Sequence, residues 1–335
     1  MRKSLSTTNK CMCKMSWYKV LCYHDDPIQL VGTLNGGQSF RWTHDKEKDE
    51  WTGVFSKTIW KLKQDGHHLL YQVKGSLLGE LGEFDCIKML KKYFRLNVTL
   101  KHSYKRWSEK DELFKTACQQ FHGIRMLHQE PVENLFSFIC SQNNHISRIS
   151  SMVEKLCEHF GEEISIVNDV AYYSFPEVEK LAKPEVEAKL RELGFGYRAK
   201  FIQKSAAQIV EWGGIEWFNS LQDMTYKDAR QELMKLYGIG PKVADCICLM
   251  SLNHLEAIPV DTHVYQIAAR NYLPHLRGKK NVTEKMYMEI GDHFRNLFGE
   301  WAGWAHTVLF CADLKKLQQK ENDSEEPKQK KKRKK

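Results

Sequence analysis

The sequence predicts an α+β protein in which a β-rich domain precedes a helical one. In the first third of the chain, apolar and polar residues alternate on both sides of Asp65-Gly66, a dipeptide typical of β-hairpins. The alternating apolar residues are Trp60, Leu62, Leu69, Tyr71 and Val73. From about residue 122 onward, apolar residues recur at helical spacing instead. We therefore place a β-rich domain at residues 16–121 and a helical domain at residues 122–319.

Several helices of the second domain have clear start and stop signals. Pro131 suits the first position of a helix. An apolar stripe follows at residues 149–160, and Gly161 ends it. A final stripe covers residues 301–309. No internal repeat interrupts this order.

Composition favours a globular, non-membrane protein. The 335 residues are 42% hydrophobic and include nine tryptophans, which argues against global disorder. No run of about 18 apolar residues is present, so no transmembrane helix is expected. We expect the polar ends, residues 1–15 and 320–335, to be disordered.

The net charge of +9 is concentrated in the C-terminal tail. Residues 328–335 carry seven of these charges, so the rest of the chain has a net charge of +2. Such a run is typical of a nuclear localisation signal and can add salt-sensitive DNA affinity. The N-terminus has four basic residues and no acidic residue before Asp25, which weakly indicates a mitochondrial fraction as well.

Residues 226–252 predict a helix, a tight turn and a second helix. Thr225 is the expected N-cap of the first helix. Gly238 and Gly240 can both adopt a positive φ, and Pro241 suits the first position of the second helix. The free backbone amides at such a helix start bind anions such as phosphate.

Two residues near this turn are candidates for chemistry. Lys242 stands at a helix start, where an ammonium is disfavoured, and Cys246 shares its helix face. Asp261 precedes a periodic apolar run, as an N-cap does, and could also stabilise positive charge near Lys242. Asp245 is a rival for that role, and spacing alone does not choose between the two carboxylates. A surface lysine and a purely structural cap remain the alternative interpretation.

Five segments, spread over residues 16–318, carry a family resemblance. They resemble the helix-hairpin-helix DNA glycosylases and, among these, the eukaryotic 8-oxoguanine DNA glycosylases. The segments are residues 35–42, 138–148, 193–199, 236–261 and 301–313. The resemblance implies a TBP-like antiparallel β domain followed by an all-helical helix-hairpin-helix body.

The resemblance also implies a bifunctional DNA N-glycosylase and abasic-site lyase of base excision repair. Such an enzyme flips 8-oxoguanine, or formamidopyrimidine-guanine, out of duplex DNA in which it lies opposite cytosine. Lys242 would attack the sugar C1′ to form a Schiff base, and β-elimination would follow. Asp261 would stabilise the positively charged sugar.

The base pocket implied by the resemblance contains four residues. The Gly37 carbonyl would accept a hydrogen bond from the N7–H of the oxidised guanine. Cys246 and Phe310 would sandwich the base. His306 stands where the family commonly has glutamine, so the preferred base is a point on which this chain can differ.

The resemblance further implies a set of DNA contacts. Asn143 would fill the vacated stack, and Tyr197 would wedge beside the widowed cytosine. Arg148 and Arg198 would read that cytosine through their donor forks. His263 would contact a phosphate, as would the amides around Gly238 and Gly240.

We expect no metal or other cofactor and a monomeric protein. The ten cysteines of a chain without a visible secretory signal should be reduced thiols. Relatives of the endonuclease III type hold an iron–sulfur cluster with four closely spaced cysteines after the hairpin. Here only Cys311 follows Cys248, so such a cluster cannot be built.

Three alternative functions stay open. The same scaffold could prefer a different base because of His306, or the chain could bind DNA lesions without catalysis. Lys242 together with Asp261 argues against a mere binder, which needs neither. A DNA-binding protein of the transcription type would have a base-reading helix, and none is evident.

Overall fold

The computed structural model describes residues 16–21, 26, 28–66, 68–279 and 281–325. It confirms the α+β class, with an antiparallel sheet near the N-terminus and a helical body after it. The expectations for residues 1–15 and for the basic tail at 328–335 lie outside the described residues. In the described part of the chain, no helix is long and apolar enough to cross a membrane.

The N-terminal sheet has five antiparallel strands in the order β1-β5-β4-β3-β2. The strands are β1 Tyr18–Leu21, β2 Trp42–Asp45, β3 Glu50–Phe55, β4 Thr58–Asp65 and β5 His68–Ser76, with helix α1 at Leu30–Asn35. Asp65 pairs with His68, which confirms the predicted hairpin at Asp65-Gly66. Trp60 and Leu62 are fully buried, so the predicted alternation marks the face that covers the smaller hydrophobic core.

Fourteen further helices follow in the described residues. They are α2 Glu83–Tyr93, α3 Lys101–Lys110, α4 Glu112–Gln120, α5 Pro131–Cys140, α6 Ile146–Phe160, α7 Val178–Leu181, α8 Val186–Glu192, α9 Arg198–Glu211, α10 Ile215–Gln222, α11 Tyr226–Leu233, α12 Pro241–Met250, α13 Thr262–Asn271, α14 Glu284–Phe298 and α15 Ala302–Glu325. Two short 3-10 turns lie at Pro274–Leu276 and Gly299–Trp301. Helices α3 and α4 share the larger hydrophobic core with the helices of the second domain.

The predicted helix starts are present. Pro131 and Pro241 each occupy the first turn of their helices. The Thr225 hydroxyl accepts a hydrogen bond from the amide of Asp228, 3.3 Å away. Asp261 caps α13 through Oδ1, which accepts from the amide of Val264 at 2.9 Å.

A two-stranded hairpin that the sequence analysis did not predict lies within the helical body. It comprises β6 Glu163–Val167 and β7 Val170–Tyr173. The hairpin packs on the five-stranded sheet, and a side chain at Gly75 would approach the Ser165 Cβ to 2.9 Å. It therefore joins the two domains on the side of β5.

The segment between the domains is fixed by side chains from both of them. Gln38 accepts a hydrogen bond from the Leu127 amide at 3.0 Å, and its carbonyl accepts one from Gln129 Nε2 at 2.7 Å. From the other side, the indole of Trp304 donates to the Ile124 carbonyl at 2.9 Å. These bonds hold the turn before Gln38 against the helix α15.

The two glycines of the helical hairpin have different conformations. Gly238 has a φ of +79°, and a Cβ there would lie 2.4 Å from the Phe201 ring. Gly240 has a φ of −101°, and a Cβ there would point into open space. Only Gly238 uses the positive φ that is open to both glycines, because Gly240 takes the extended conformation of an N-cap.

We expect Gly238→Ala to lower the free energy of unfolding by about 1–3 kcal/mol, because the methyl group meets the ring in a left-handed backbone conformation. Gly240→Ala should change it by about 0.5 kcal/mol or less. Urea unfolding followed by circular dichroism measures both variants. Equal losses of unfolding free energy in the two variants would contradict the different conformations assigned to Gly238 and Gly240.

Candidate active site

A small cavity lies where α12, α13, α15 and the turn after α1 meet. Its volume is about 80 Å³. All six predicted catalytic and base-binding residues line it, so the structure brings them together from four distant stretches of the chain. The lining residues are Gly36, Gly37, Gln38, Phe138, Lys242, Cys246, Met250, Pro259, Asp261, Val264, His306, Thr307 and Phe310.

Lys242 stands at the mouth of this cavity. It is the second residue of α12, and its side chain also lines a larger groove on the outside. The Nζ atom donates a hydrogen bond to Ser141 Oγ at 3.2 Å. The same atom lies 4.6 Å from the centre of the Phe138 ring, so the face of the ring attracts the ammonium form.

Asp261 also lines both the cavity and the groove. Its cap bond to Val264 fixes the carboxylate at the start of α13. Helix α12 starts at the same place, so two helix starts converge on the site. Their free amides and dipoles make it favourable for negative charge such as a phosphate.

Asp245, the rival carboxylate, lies elsewhere. It is fully buried, lines neither the cavity nor the groove, and accepts hydrogen bonds from the hydroxyls of Tyr226 and Tyr287. Arg230 Nε pairs with its Oδ1 at 3.1 Å. Tyr287 in turn accepts a hydrogen bond from the Val260 amide at 3.2 Å. Asp245 therefore fixes the chain that leads into Asp261, and its position gives it no access to the cavity.

Gly37 and Cys246 border the cavity from two sides. Gly37 has a φ of +75°, and a Cβ there would lie 3.7 Å from the Phe310 ring. Cys246 is buried, and burial raises the pKa of its thiol to about 12, so it remains a neutral thiol. Phe310 meets the His263 ring edge-on at 6.0 Å between ring centres. The cavity is thus narrow and apolar on the sides of Cys246 and Phe310.

His306 is a buried polar group in the cavity wall. It is only 5% exposed, and neither of its ring nitrogens has a hydrogen-bond partner among the described residues. Burial lowers the pKa of His306 to about 4, and the charge of Asp261 opposes this only partly. At neutral pH the ring therefore has one donor and one acceptor nitrogen, and neither is used by another described residue.

The outer groove has a volume of about 670 Å³. It is lined by two predicted DNA-contact residues, Asn143 and His263, and by both hairpin glycines. Its lining residues are Ser141, Gln142, Asn143, Asn144, Gly238, Gly240, Pro241, Lys242, Val243, Val260, Asp261, Thr262, His263 and Val282. Asn143 is exposed, with a φ of +46°, which is uncommon for a residue other than glycine.

The two predicted cytosine-reading arginines differ in their surroundings. Arg148 is exposed, with one bond to the Gly194 carbonyl at 3.3 Å. Arg198 is buried, and its guanidinium donates to the carbonyls of Gln142 and Asn143. Tyr197 is 46% exposed and donates through its hydroxyl to the Gln142 carbonyl at 3.1 Å. In this structure, Arg198 holds the loop that presents Asn143.

The sequence analysis missed three residues of the site, namely Phe138, Ser141 and Gln142. Gln142 accepts from Tyr197 and Arg198 and donates through Nε2 to the Gly238 carbonyl at 2.8 Å. All three lie in one of the resemblance segments, but no local pattern indicates that this segment faces the hairpin. Among the described residues, no group of three or more His, Cys, Asp or Glu side chains is arranged to bind a metal ion.

Comparisons with known proteins agree with this geometry. Residues 20–135 match a family model described as "8-oxoguanine DNA glycosylase, N-terminal domain". Residues 136–291 match the model of the "HhH-GPD superfamily base excision DNA repair protein".

Two curated relatives cover most of the chain. The N-glycosylase/DNA lyase of Saccharomyces cerevisiae is 40% identical over 326 residues, which is 88% of this chain and 85% of the relative. The N-glycosylase/DNA lyase OGG1 of Arabidopsis thaliana is 35% identical and covers 89% of this chain and 80% of its own length.

Two solved structures of similar fold contain DNA. One is MBOgg1 in complex with a low-affinity DNA ligand, with a TM-score of 0.78 and 28% identity, covering 90% of this chain and 99% of that one. The other is the Clostridium acetobutylicum 8-oxoguanine glycosylase/lyase with double-stranded DNA containing cytosine opposite 8-oxoguanine. Its TM-score is 0.75 at 28% identity, covering 87% of this chain and 93% of that one.

Because Asp245 and Asp261 have different surroundings, their replacement by asparagine should have different effects. Asp245→Asn should lower the free energy of unfolding by about 3–5 kcal/mol, because Arg230 would lose its buried counter-charge. Asp261→Asn should leave it nearly unchanged, because asparagine caps a helix about as well as aspartate. The excision activity implied by the resemblance should fall by about 100-fold or more in Asp261→Asn. A stable Asp245→Asn, or a fully active Asp261→Asn, would reverse the assignment.

The buried neutral His306 predicts a pH-dependent stability. Its pKa of about 4 in the folded protein lies below the ordinary value of 6.5, so the unfolded chain binds the proton more readily between these values. The contribution of neutral His306 to the free energy of unfolding is therefore fully present above pH 6.5. It is lost as the pH falls toward 4, which lowers the unfolding free energy by up to about 3 kcal/mol.

Urea unfolding of the wild type and His306→Gln over pH 4–7 isolates this contribution, because other histidines cancel in the difference. The unfolding free energy of the wild type relative to the variant should fall as the pH falls. A difference that is independent of pH would show that His306 has the same pKa in the folded and the unfolded protein, as an exposed ring does, and would contradict the buried neutral ring.

Proposed function

The chain belongs to the N-glycosylase/DNA lyase family of 8-oxoguanine DNA glycosylases with a helix-hairpin-helix body, and we propose that it excises 8-oxoguanine from duplex DNA. The observation that carries this proposal is the position of Lys242 and Asp261. Both side chains line the small cavity as well as the outer groove, so they lie where the two meet. A flipped nucleotide placed there has its base in the cavity and its sugar beside the amine.

The groove suits the DNA backbone. Hairpin residues Gly238 and Gly240 line it, and the amides at the start of α12 are a favourable site for a phosphate. Asn143, on the exposed loop, would occupy the gap that the flipped base leaves. Tyr197 and Arg148 are exposed beside it, on the side where the widowed cytosine would lie.

Reaction at the sugar would use the neutral amine of Lys242. The nitrogen forms a bond to C1′ while the bond from C1′ to the base breaks, and the base leaves with the bonding pair. Opening of the sugar ring gives a Schiff base, from which β-elimination releases the 3′ phosphate. Asp261 would stabilise the positive charge that develops on the sugar before the new bond is complete.

Base selection would rest on the cavity walls. The Gly37 carbonyl would accept the N7–H that oxidised guanine has and guanine lacks, a bond worth about 1–3 kcal/mol or about 5–150-fold in rate. Cys246 and Phe310 would contact the faces of the base. His306 would offer one donor and one acceptor to its Watson–Crick edge.

A second candidate function is the same reaction with a different preferred base. The two nitrogens of His306 favour it, because no other described residue bonds them and their spacing differs from that of the two polar atoms of a glutamine amide. Ring-opened formamidopyrimidine-guanine is the alternative substrate to compare. A protein that binds lesions without catalysis is less well supported. Binding alone would not require an amine beside the sugar, whereas Lys242 lines both the cavity and the groove.

Single-turnover excision from a duplex with 8-oxoguanine opposite cytosine tests the proposal. We expect release of the base by the wild type and a loss of about 1,000-fold or more, about 4 kcal/mol, in Lys242→Gln. Duplexes of the same sequence that contain formamidopyrimidine-guanine or undamaged guanine are measured in parallel to give the base preference. No release from any lesion by a folded wild type would contradict the proposal and favour the binder.

The preference for the base opposite the lesion tests the proposed role of Arg148 in reading cytosine. Arg148→Ala should reduce the preference for cytosine over adenine opposite the lesion by about 5–150-fold, because a donor fork to one base is worth about 1–3 kcal/mol. Arg106→Ala, at an exposed arginine of α3, is the matched control and should keep the preference. An unchanged ratio in Arg148→Ala would exclude the role.

We further propose a monomer that acts mainly in the nucleus, with residues 328–335 as the import signal. Deleting these residues should abolish nuclear accumulation of a fluorescently tagged protein, whereas deleting the preceding eight residues should not. Unchanged nuclear accumulation of the first variant would refute the signal. Import into mitochondria would be tested by deleting residues 1–15.

A further inference from the structure

Ser141 joins the end of α5 to the amine of Lys242. Its Oγ atom has two polar neighbours. The hydroxyl donates to the carbonyl oxygen of Phe138 at 2.8 Å, and Lys242 Nζ donates to the hydroxyl oxygen at 3.2 Å. The first bond is the local bond that a serine at a helix end makes with a preceding carbonyl.

The direction of both bonds follows from counting protons. A carbonyl oxygen can only accept, and a serine hydroxyl has one hydrogen, so that hydrogen is committed to Phe138. Oγ therefore presents a lone pair to Lys242. An N–H of the amine must point at Ser141, and the lone pair of the neutral amine cannot.

The Phe138 ring acts in the same sense. Its centre lies 4.6 Å from Lys242 Nζ, and the negative face of an aromatic ring attracts N–H groups and repels a lone pair. Both groups that face the amine from α5 thus attract its hydrogens. The lone pair of a neutral Lys242 is left to point away from α5.

Two side-chain amides close to Ser141 in the sequence hold it in place. The next residue, Gln142, donates to the carbonyl of Gly238 at 2.8 Å, so the end of α5 is tied to the hairpin that carries Lys242. Asn144 donates to the Cys140 carbonyl at 2.9 Å on the other side. The distance from Ser141 to the amine is therefore set by a short, closed set of contacts.

We infer that Ser141 is a positioning residue for the nucleophile: by accepting an N–H of Lys242, it directs the lone pair of the neutral amine toward the sugar C1′ of the flipped nucleotide. This rests on the proposed glycosylase and lyase function. The hydroxyl contacts the amine, and Ser141 does not line the cavity proposed for the base, so its loss should slow the chemical step and change DNA affinity little.

A pair of variants of equal shape isolates the hydroxyl. Ser141→Thr keeps it, whereas Ser141→Val replaces it with a methyl group of similar size. We expect Ser141→Val and Ser141→Ala to release 8-oxoguanine about 10-fold more slowly than wild type at saturating enzyme, since small displacements of a reacting group cost 10- to 100-fold. Ser141→Thr should stay within about 3-fold of wild type.

A second substrate and a binding measurement complete the experiment. Cleavage at a preformed abasic site should show the same order, because it needs the amine but no base recognition. The Kd for a duplex with a tetrahydrofuran abasic analogue should agree within about 2-fold for all four proteins. A merely structural role would change the Val and Thr variants alike.

The failure of this inference differs from the failure of the proposed function. An active wild type with a Thr variant no faster than the Val variant, or with a fully active Ala variant, would overturn the role of Ser141 alone. A wild type that acts on neither the lesion nor the abasic site would overturn both.

Discussion

The buried carboxylate of Asp245 is the contact on which the geometry of the site depends. It lies on the same helix as Lys242 and accepts a hydrogen bond from Tyr287, whose hydroxyl also accepts from the amide of Val260. Val260 is the residue before Asp261, so one buried network fixes the start of α13 relative to α12. A buried carboxylate needs such partners to be tolerated at all. The cost of burying Asp245 is offset by bonds that place the two candidate catalytic side chains.

The converging helix starts bring the proposed phosphate site next to the proposed catalytic residues. Free amides and helix dipoles favour a phosphate in the groove, while the cavity behind them is apolar and narrow. The turn at Gly37 comes from the N-terminal domain and closes this cavity against Phe310 on α15. Both domains therefore contribute walls to the same pocket. Gln38 and Trp304 both bond to the segment between the domains, and these bonds fix the positions of the two walls relative to each other.

Much of this architecture could be predicted from local patterns. Alternation predicted the β4–β5 hairpin, and the Gly-Ile-Gly turn with its proline predicted the start of α12. Spacing could not choose between Asp245 and Asp261, because burial decides between them and burial is a property of the whole fold. Ser141 lies 101 residues before Lys242, so no local pattern indicates their contact. The sequence did not indicate that Arg198 is buried against the Asn143 loop, because these residues are also far apart in the chain.

The central claim is that the amine of Lys242 itself bonds to the sugar. Reduction with sodium borohydride during reaction on 8-oxoguanine opposite cytosine fixes a Schiff base as a stable protein–DNA adduct, and peptide mapping by mass spectrometry locates it. We expect an adduct on Lys242 in the wild type and in Lys88→Gln, a change at an exposed lysine of α2, and none in Lys242→Gln. An adduct on another residue, or an undiminished adduct in Lys242→Gln, would contradict it.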